Sequence, residues 1–435
     1  MKLAGWGQYS PVDSNISSPK YLHELIAAAK TGDMIARGNG RAYGDSAVNQ
    51  QNTIDMKHFN RMLEFDESVG QLVAESGVLL ADIIHTFLPK GWFPAVTPGT
   101  KFVTLGGTLA ADVHGKNHHK DGSFAKFIDW FEIIDESGNL HRCSPTENIE
   151  LFGWTIGGMG LTGIILKIAF RLRRVETAWM KQRTLVAENI DHAMSLFEGS
   201  LDAAYSVAWI DCLRRGSNMG RAIVILGDHV QLENLPEKIE YKQKKEILFP
   251  FKFLSWGLNI WTVKIFNTLY YSYKKRNLHE QLVTWDKYFY PLDAIVGWNK
   301  IYGRNGFTQF QCVIPLLNSQ KGLKELLIEI SKSGATPFLA VLKRFGAQES
   351  EFSFPMEGYT LALDFPINKK TLLLMDRLDT ITLKYSGRFY LAKDSRMSAE
   401  TFFKSDKRVK NFKMWRESKS LSGSFCSAQS KRLKF

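Results

Sequence analysis

The sequence predicts an α+β fold, and two patterns support that class. Glycine-rich loops separate short strands in the first 175 residues, whereas the second half follows the order β-α-β-β-α-β. That order is the split-βαβ arrangement, an antiparallel sheet with its helices on one face. The length of 435 residues allows two or three domains, and 44% apolar with 23% charged residues is typical of a folded globular protein.

The first part of the chain is predicted to begin with a helix and to continue as strands. Ser18 and Pro19 mark the start of the helix, and apolar residues then follow at helical spacing: Leu22, Leu25, Ile26 and Ala29. Residues 128–142 predict a hairpin, and an apolar strand is predicted over 161–173.

The second half supplies the split-βαβ pattern. Its predicted elements are strands over 307–314, 338–343, 359–364 and 389–392, and helices over 319–333 and 368–386. A sheet whose helices cover one face leaves the other face free to cover a ligand. Side chains at every second strand position point towards that free face.

The net charge of +12 favours an acidic partner. No nucleic-acid-binding motif accompanies the charge, so nucleic acid is not expected. Basic residues cluster with Trp and Phe over 238–276, which fits an anionic membrane surface. A solvated basic loop over a core helix is the alternative. Neither a signal peptide nor an apolar run of about 18 residues is evident, so the chain is expected in the cytoplasm or peripherally on the inner membrane.

Cysteine and histidine spacing gives no metal site. The four cysteines are far apart and form no CxxC pair, which predicts independent reduced thiols. Three histidines cluster at His114, His118 and His119, but Gly115 argues against a helix that would hold two of them at metal-binding spacing. Contact with a ligand is the favoured role for these histidines, and no metal is expected.

Three glycine-rich loops carry the main chemical signal. They span 36–45, 97–119 and 157–163. Glycines permit positive φ angles and let backbone N–H groups converge on an anion. One such loop is weak support, since a structural turn explains it equally well. Three loops in one region imply a large ligand with a pyrophosphate, contacted along its length.

These motifs resemble a known family. The Arg-Gly-Asn-Gly-Arg-Ala-Tyr-Gly-Asp loop from Arg37, the Pro-Gly-Thr and Gly-Gly segment from Pro98, and His-Gly-Lys-Asn-His-His from His114 are similar to the vanillyl-alcohol-oxidase, or PCMH-type, FAD-binding oxidoreductases. The resemblance covers nearly the whole chain. It is strongest to the branch that oxidises the 2′-hydroxyl of polyprenylphosphoryl-β-D-ribose, and it extends to the segments at 309–311, 341–346 and 392–396.

The resemblance implies a two-part PCMH-type FAD-binding domain, formed by residues 1–175 and a C-terminal segment, 388–435, that returns to it. Residues 176–387 would form a substrate-binding domain whose antiparallel sheet covers the flavin. The implied cofactor contacts are Ala36, Arg37, Gly38, Asn39, Gly40, Arg41, Ala42, Tyr43, Gly44, Asp45, Ser46, Gly99, Thr104, Leu105, Gly106, Gly107, Ala111, Asp112, Val113, His114, Ile165 and Tyr390.

The implied reaction is oxidation of a lipid-linked sugar phosphate to a keto sugar. This is the first half of an epimerisation that supplies arabinan for cell-wall biogenesis, and an NAD(P)H-dependent short-chain reductase would complete it. Relatives that tether FAD through the first loop carry histidine after its second glycine. Arg41 occupies that position here, so non-covalent FAD is expected.

The resemblance also assigns roles around the flavin. Lys393, Tyr43 and Gln311 are the candidate catalytic residues, with Lys393 favoured to orient the hydroxyl or act as the base. The implied substrate contacts are His114, Lys116, Gln309, Gln311, Lys343, Thr360 and Lys393. Two positions depart from the relatives, which have Asn and Cys where this chain has Thr360 and Ala362. A covalent inhibitor directed at that thiol is therefore expected to fail.

Two alternatives stay open. A soluble FAD-dependent aldonolactone or alditol oxidase would predict a histidyl-linked flavin, which Arg41 disfavours, and would not need the basic and aromatic segment. A non-catalytic flavin-binding peripheral membrane protein would hold a flavin that no polyprenylphosphoryl sugar reduces.

Overall fold

The computed structural model of the chain describes residues 1–236, 247–248 and 259–435. Of the basic and aromatic segment predicted over 238–276, the residues before 247 and those at 249–258 therefore lie outside the described residues. Of the remainder, residues 247–248 form a short strand and residues 260–276 form a helix.

The amino-terminal part contains short strands and helices in an alternating order. They are β1 (Lys2–Leu3), β2 (Val12–Asp13), β3 (Ile16–Ser17), α1 (Leu22–Ala29), β4 (Met34–Arg37), β5 (Asn52–Asp55), β6 (Met62–Asp66), β7 (Gln71–Glu75), α2 (Leu80–Phe87), β8 (Trp92–Pro94), α3 (Leu105–Ala110), α4 (His118–Asp121), β9 (Ile128–Ile134), β10 (Leu140–Cys143), α5 (Ile149–Thr155) and β11 (Ile164–Arg174). The predicted helix, hairpin and final strand are thus confirmed as α1, β9–β10 and β11.

Two sheets organise these strands. Parallel pairing gives the order β3-β5-β4, and an antiparallel sheet has the order β10-β9-β11-β7-β6, with β8 also paired to β11. A buried apolar cluster supports the larger sheet, in which Leu72, Phe131 and Ile168 pack against Leu105 and Leu109 of α3. This packing fixes the loop that precedes α3, which becomes one wall of the cavity described below.

The second part is built on a larger sheet. Its elements are β12 (Trp179–Ala187), α6 (Ile190–Glu198), β13 (Tyr205–Ile210), β14 (Ala222–His229), β15 (Ile247–Leu248), α7 (Ile260–Arg276), β16 (Gln281–Thr284), α8 (Trp285–Phe289), β17 (Ile295–Val296), β18 (Phe307–Pro315), α9 (Leu316–Ser333), β19 (Leu339–Phe345), β20 (Gly358–Pro366), α10 (Lys369–Lys384) and β21 (Arg388–Phe389). The large sheet has the order β16-β12-β14-β13-β19-β20-β18-β21.

The predicted split-βαβ unit is present as β18-α9-β19-β20-α10-β21, but it is only half of an eight-stranded sheet. The last strand is also shorter than predicted: it ends at Phe389, and residues 390–393 turn away, with the Lys393 N–H bonded to the Tyr390 carbonyl at 3.0 Å. The antiparallel sheets and the mixture of helices and strands confirm the α+β class. The domain boundaries after residues 175 and 387 stay a prediction.

Alternate strand positions face opposite sides of this sheet, as the pleat requires. Phe310 and Cys312 of β18 are buried in the same apolar cluster as Leu323 and Leu326 of α9, so the helices cover that face. Gln311, which lies between them along the strand, points to the other face, where a cavity lies.

The carboxyl-terminal segment contains α11 (Ala399–Ser405), α12 (Arg408–Ser418) and α13 (Ala428–Leu433). It packs against the amino-terminal part: the N–H of Cys426 donates to the Met34 carbonyl at 2.8 Å, and Arg432 forms an ion pair with Asp45 at 2.8 Å. The segment thereby holds residues 390–395 against the first glycine loop.

The four cysteines of the chain are free and buried. Among the described residues, no helix combines the length and the apolar character that crossing a bilayer requires.

Candidate active site

A cavity of about 990 Å³ lies between the glycine loops and the face of the eight-stranded sheet that is opposite α9 and α10. This volume is at the upper end of the range of about 300–1,000 Å³ for ligand and cofactor sites. One wall is formed by backbone of the first two glycine loops, the opposite wall by side chains of the large sheet, and the mouth by α7 and the segment after α8.

The glycine wall depends on the absence of side chains. A Cβ added to Gly38 would collide with the Thr104 hydroxyl, and one added to Gly106 would lie 2.9 Å from the Ser76 Cβ. Gly40 has a φ of 60°, which favours glycine. The Thr104 hydroxyl accepts a hydrogen bond from the Gly107 N–H at 3.3 Å and caps α3, and Asn39 Nδ2 joins the first loop to the second by donating to the Phe102 carbonyl at 2.9 Å. The two loops therefore present a smooth backbone surface to the cavity.

Arg41 closes one end of the glycine wall. Its guanidinium lies 4.1 Å from the centre of the Trp6 ring and 5.5 Å from that of Phe102. Burial lowers the pKa of Arg41, and the nearby Asp293 carboxylate partly offsets this effect. Arginine stacked on aromatic rings keeps its charge and gives the site a fixed cation.

The sheet wall is polar where β18, β19 and β20 run side by side. Gln311 donates from Nε2 to the Thr360 hydroxyl at 3.2 Å, and the same nitrogen lies 3.3 Å from His114 Nε2. Gln309 donates from Nε2 to the Asp364 carboxylate, directly opposite it in the ladder. The spacing of two residues places both amides on the cavity face, as the sequence predicts.

His114 connects the second glycine loop to this polar patch. The ring is buried between Phe345 and Tyr390, with centroids 4.8 and 5.0 Å away. Burial, and secondarily the Lys343 ammonium, lowers the pKa of His114 well below its usual value. His114 is therefore neutral at physiological pH and can donate or accept one hydrogen bond at each ring nitrogen.

Lys393 lies over Tyr43 at the innermost end of the cavity. Its ammonium nitrogen is 3.6 Å from the centre of the Tyr43 ring. Burial lowers the pKa of Lys393 to about 7, with the Asp364 carboxylate acting in the opposite direction and the Lys343 ammonium adding to the decrease. Burial likewise raises the pKa of Asp364 to about 7. A lysine with this pKa exchanges a proton readily near neutral pH.

Two further lysines face the same space. Burial lowers the pKa of Lys343 to about 8, and burial together with the Lys343 charge lowers the pKa of Lys116 to about 7. Lys116 donates to the Tyr288 carbonyl and lies 4.4 Å from the centre of the Tyr288 ring. An anion entering the cavity would stabilise the protonated forms of these lysines, so the polar end favours a negatively charged ligand group.

The outer part of the cavity is apolar and aromatic. Val207 and Trp209 of β13 and Ile225 of β14 line it from the sheet, and Tyr270 and Tyr273 of α7 line it from the mouth. The Trp209 and Tyr270 rings meet edge to face with centroids 5.0 Å apart. Among the described residues, the sheet contributes no charged side chain to this part of the lining, so it can contain a hydrocarbon chain at low cost.

Most of the residues predicted for the site line this one cavity. They are Ala36, Gly38, Asn39, Gly40, Arg41, Ala42, Tyr43, Ser46, Gly99, Thr104, Gly106, Gly107, Ala111, Val113, His114, Lys116, Ile165, Gln309, Gln311, Lys343, Tyr390 and Lys393. The structure therefore brings together glycine-loop and sheet residues that lie far apart in the sequence, from Ala36 to Lys393.

Six predicted residues lie outside the lining: Arg37, Gly44, Asp45, Leu105, Asp112 and Thr360. In the first loop, the Arg37 guanidinium donates to two backbone carbonyls and closes the loop. Gly44 packs so tightly on the Asp394 carbonyl that a Cβ has no room. Asp45 accepts from Arg432 at 2.8 and 3.0 Å. These residues shape the loop and do not face the cavity.

The other three residues also make their contacts outside the cavity. Leu105 is fully buried in the core beneath the second glycine loop. Asp112 is fully buried and accepts from the Ser123 hydroxyl at 2.7 Å. Thr360 donates to the Cys312 carbonyl at 2.8 Å and accepts from Gln311. The predicted direct substrate contact of Thr360 is thus corrected to support of the Gln311 amide.

The sequence reasoning missed Asp364 and Asp293. Asp364 lies within an apolar strand segment, and only its cross-strand pairing with Gln309 reveals its position behind Lys393. Asp293 accepts from the Lys101 N–H at 2.8 Å and lines the cavity near Arg41. Charged residues in otherwise apolar stretches were the available signal for both.

The smooth backbone surface of the glycine wall fits FAD. Three buried polar atoms support the same assignment. Arg41 Nε, Ser76 Oγ and His114 Nδ1 make no hydrogen bond within the part of the chain that the structure describes. Each belongs to a residue that lines the cavity, and a ligand with many acceptor atoms supplies the partners that buried polar groups require. Ala36, Gly38 to Tyr43, Ser46 and the segment 104–107 would hold the cofactor.

The comparisons with known proteins agree with this site. The FAD binding domain family matches residues 18–144. A decaprenylphosphoryl-beta-D-ribose oxidase from Mycolicibacterium smegmatis is 33% identical over 99% of this chain and 97% of its own length. An uncharacterized protein in the mprA 5′ region of Streptomyces coelicolor is 30% identical over 74% and 90%, and L-gulonolactone oxidase from Bos taurus is 26% identical over 40% and 41%.

The fold and site are those of an FAD-dependent oxidoreductase with a PCMH-type FAD-binding fold. FAD as cofactor and the enzymatic class are thereby confirmed. The chain belongs to the decaprenylphosphoryl-β-D-ribose oxidase family, and its activity is the FAD-dependent oxidation of a sugar.

Proposed function

We propose that the chain oxidises the 2′-hydroxyl of a polyprenylphosphoryl-β-D-ribose to the keto sugar. The observation that carries this proposal is the sequence of environments in one cavity: a glycine wall, then a polar pocket with Lys116, Lys343 and Lys393, then an apolar mouth. Flavin, sugar phosphate and hydrocarbon chain require these three environments in this order. The name of the Mycolicibacterium smegmatis relative supports the same substrate class.

Bound FAD supplies the acceptor for a hydride from the sugar carbon. The chain supplies orientation and proton transfer. Lys393 in its neutral form takes the proton of the reacting hydroxyl at Nζ, since its lowered pKa matches physiological pH. Gln311 and His114 form a hydrogen-bonded pair that orients neighbouring hydroxyls. The Tyr43 ring packs against the Lys393 ammonium group and keeps water from that side of it.

The phosphate belongs beside Lys116 and Lys343 in this proposal. Both ammonium groups are held in the cavity with lowered pKa values, so a phosphate there restores their charged forms. The polyprenyl chain then leaves along Val207, Trp209 and Ile225. Substrates without phosphate or lipid would lack two of the three sets of contacts.

The proposal includes the place of the reaction. The keto sugar would pass to an NAD(P)H-dependent short-chain reductase that completes the epimerisation for arabinan and cell-wall biogenesis. Enzyme and lipid-linked substrate would meet at the cytoplasmic face of the inner membrane, to which the protein binds peripherally.

The decisive experiment is anaerobic mixing of the FAD-loaded protein with polyprenylphosphoryl-ribose while flavin absorbance is recorded. We expect bleaching by this compound and none by free alditols or aldonolactones. Bleaching by the free sugars alone would replace the proposal with a soluble alditol or aldonolactone oxidase. A flavin that none of these compounds reduces would overturn the catalytic assignment.

We also propose that the FAD is held without a covalent bond. Arg41 occupies the position where tethered relatives carry histidine, and its guanidinium stacks on Trp6, which leaves no nucleophile for the flavin there. Acid precipitation of the holoprotein should leave the yellow cofactor in the supernatant. Flavin in the pellet would contradict the proposal.

A further inference from the structure

Helix α7 buries polar groups and exposes apolar ones. The buried residues of its inner face are Val263, Asn267 and Tyr271, with exposed fractions of 4%, 6% and 8%, so two of the three carry polar groups. Its outer face carries four large apolar side chains with exposed fractions between 54% and 72%: Trp261, Ile265, Phe266 and Leu269. Helices of water-exposed surfaces show the reverse distribution, so this face is built to contact something other than water.

The inner face fixes the rotation of the helix. Asn267 donates from Nδ2 to the Asp211 carboxylate at 2.8 Å, and the same carboxylate is paired with Arg221 at 2.9 Å. The Tyr271 hydroxyl donates to the Ala187 carbonyl at 3.2 Å. Turning the apolar face inward would break these buried hydrogen bonds, which makes its outward direction a stable property of the fold.

The charge of the helix indicates the partner. Residues 259–278 contain no Asp or Glu, and Lys264, Lys275 and Arg276 are exposed on or beside the apolar face. Lys264 lies 5.7 Å from the centre of the Trp261 ring. Trp and Tyr next to basic residues are typical of segments that lie at headgroup depth on anionic bilayers.

We propose that α7 docks the protein on an anionic lipid bilayer, with Trp261, Phe266 and Leu269 in the headgroup region. The partner is a lipid surface rather than a protein because the face combines aromatic and aliphatic side chains with Lys264, Lys275 and Arg276, which form no ion pair with any residue that the structure describes.

The position of α7 connects this docking to the mouth of the cavity. Tyr270 and Tyr273 of the same helix, together with Lys274, line the mouth of the cavity. Docking therefore places the mouth at the bilayer surface, where a lipid-linked substrate can enter without leaving the membrane. This step rests on the proposed function, whereas the docking itself does not.

The test is cosedimentation of the FAD-loaded protein with vesicles at low ionic strength. Equimolar phosphatidylglycerol and phosphatidylcholine should retain the wild-type protein, and phosphatidylcholine alone should bind it at least about tenfold more weakly, since each basic residue contributes about fivefold at an anionic surface. Trp261→Ser with Leu269→Ser, and separately Lys275→Glu with Arg276→Glu, should each reduce binding by at least about tenfold.

Matched controls lie on α9, on the helix-covered side of the sheet. Leu317→Ser removes an apolar side chain that is 95% exposed, and Lys321→Glu reverses an exposed charge. Both should bind vesicles like the wild type. All variants should oxidise a water-soluble short-chain phosphoryl-ribose at the wild-type rate, which separates docking from catalysis.

Three outcomes would overturn the inference without touching the proposed oxidation reaction. These are wild-type protein that stays in the supernatant, control variants that lose binding equally, and an α7 variant that binds vesicles normally but loses a self-association of the wild type. The last would assign the face to a second copy of the chain. Failure of the short-chain substrate alone would instead count against the proposed function.

Discussion

The ammonium nitrogen of Lys393 lies 3.6 Å from the centre of the Tyr43 ring. The contact joins the first glycine loop to the turn after the last strand, and the Tyr43 N–H supports it by donating to the Ala392 carbonyl at 2.9 Å. A cation over an aromatic face is stabilised, whereas burial opposes the charge. Burial lowers the pKa of Lys393 to about 7 although the Asp364 carboxylate acts in the opposite direction, so the neutral and protonated forms of the side chain coexist near physiological pH.

Replacement of Lys393 by Met should lower the rate of flavin reduction by substrate at least about 100-fold, because a positioned base contributes about 10²–10⁴. The side chain volume is kept, so FAD affinity should change little. Anaerobic stopped-flow absorbance measures the rate, and Lys321→Met, an exposed lysine on α9, serves as the control. An unchanged rate would remove Lys393 from the proton transfer.

The pH dependence should follow the same lysine. Burial lowers the pKa of Lys393 to about 7, and only the neutral amine accepts a proton. At saturating substrate the bound phosphate keeps Lys116 and Lys343 protonated, so kcat should rise as pH increases through about 7 and level off above it. A profile measured from pH 5.5 to 9 that is flat, or that falls across this range, would contradict the assignment.

Replacement of Gly38 by Ala should weaken FAD binding at least about tenfold, because the new Cβ has to displace the Thr104 hydroxyl from the wall. Gly423→Ala is the control: Gly423 lies outside the cavity lining, and its added Cβ meets no atom within 4 Å. Titration of the apoprotein with FAD, followed by flavin fluorescence, measures both. Equal affinities for the two variants would mean that the wall tolerates side chains.

Local patterns predicted the parts of this site that local geometry determines. Gln309 and Gln311 share a face because strand residues alternate, and glycine loops reveal a backbone wall without knowledge of its partner. The role of Thr360 was not predictable in this way. Its hydroxyl bonds to the Cys312 carbonyl on the neighbouring strand, and that contact depends on a register set by distant residues.

The same reason explains the larger sheet. Strands β12, β13 and β14 pair with one another and with β19, and none of these pairings is visible in a short stretch of sequence. The split-βαβ unit was recognisable because its helices end at glycines and its strands are apolar. Its extension to eight strands required the tertiary structure.

Replacement of Ala362 by Cys should create a reactive site where the protein has none. Ala362 lines the cavity and pairs across the ladder with Gln311, so a thiol there faces incoming ligands. The four native cysteines are buried. Native wild-type protein treated with iodoacetamide should show no added mass, whereas the variant should gain one adduct that FAD and substrate together suppress. Labelling of the wild type at position 312 would indicate that the strand faces are reversed.

Replacement of Asp364 by Asn tests how the buried carboxylate acts on Lys393. Asn keeps an oxygen that can accept from Gln309, and it removes the negative charge that raises the pKa of Lys393. The pKa of Lys393 should then fall, because the protonated amine loses its stabilising neighbour while burial continues to oppose the charge. The rise of kcat at saturating substrate should consequently move to lower pH, with the limiting rate at high pH kept within about threefold.

The control for Asp364→Asn is Asp376→Asn, which changes an exposed carboxylate on α10 and should leave the profile in place. A simple structural role for Asp364 would lower activity equally at every pH or destabilise the fold. A shift of the profile to lower pH is a signature that such a role does not produce. A shift to higher pH would mean that a different group, and not Lys393, accepts the proton.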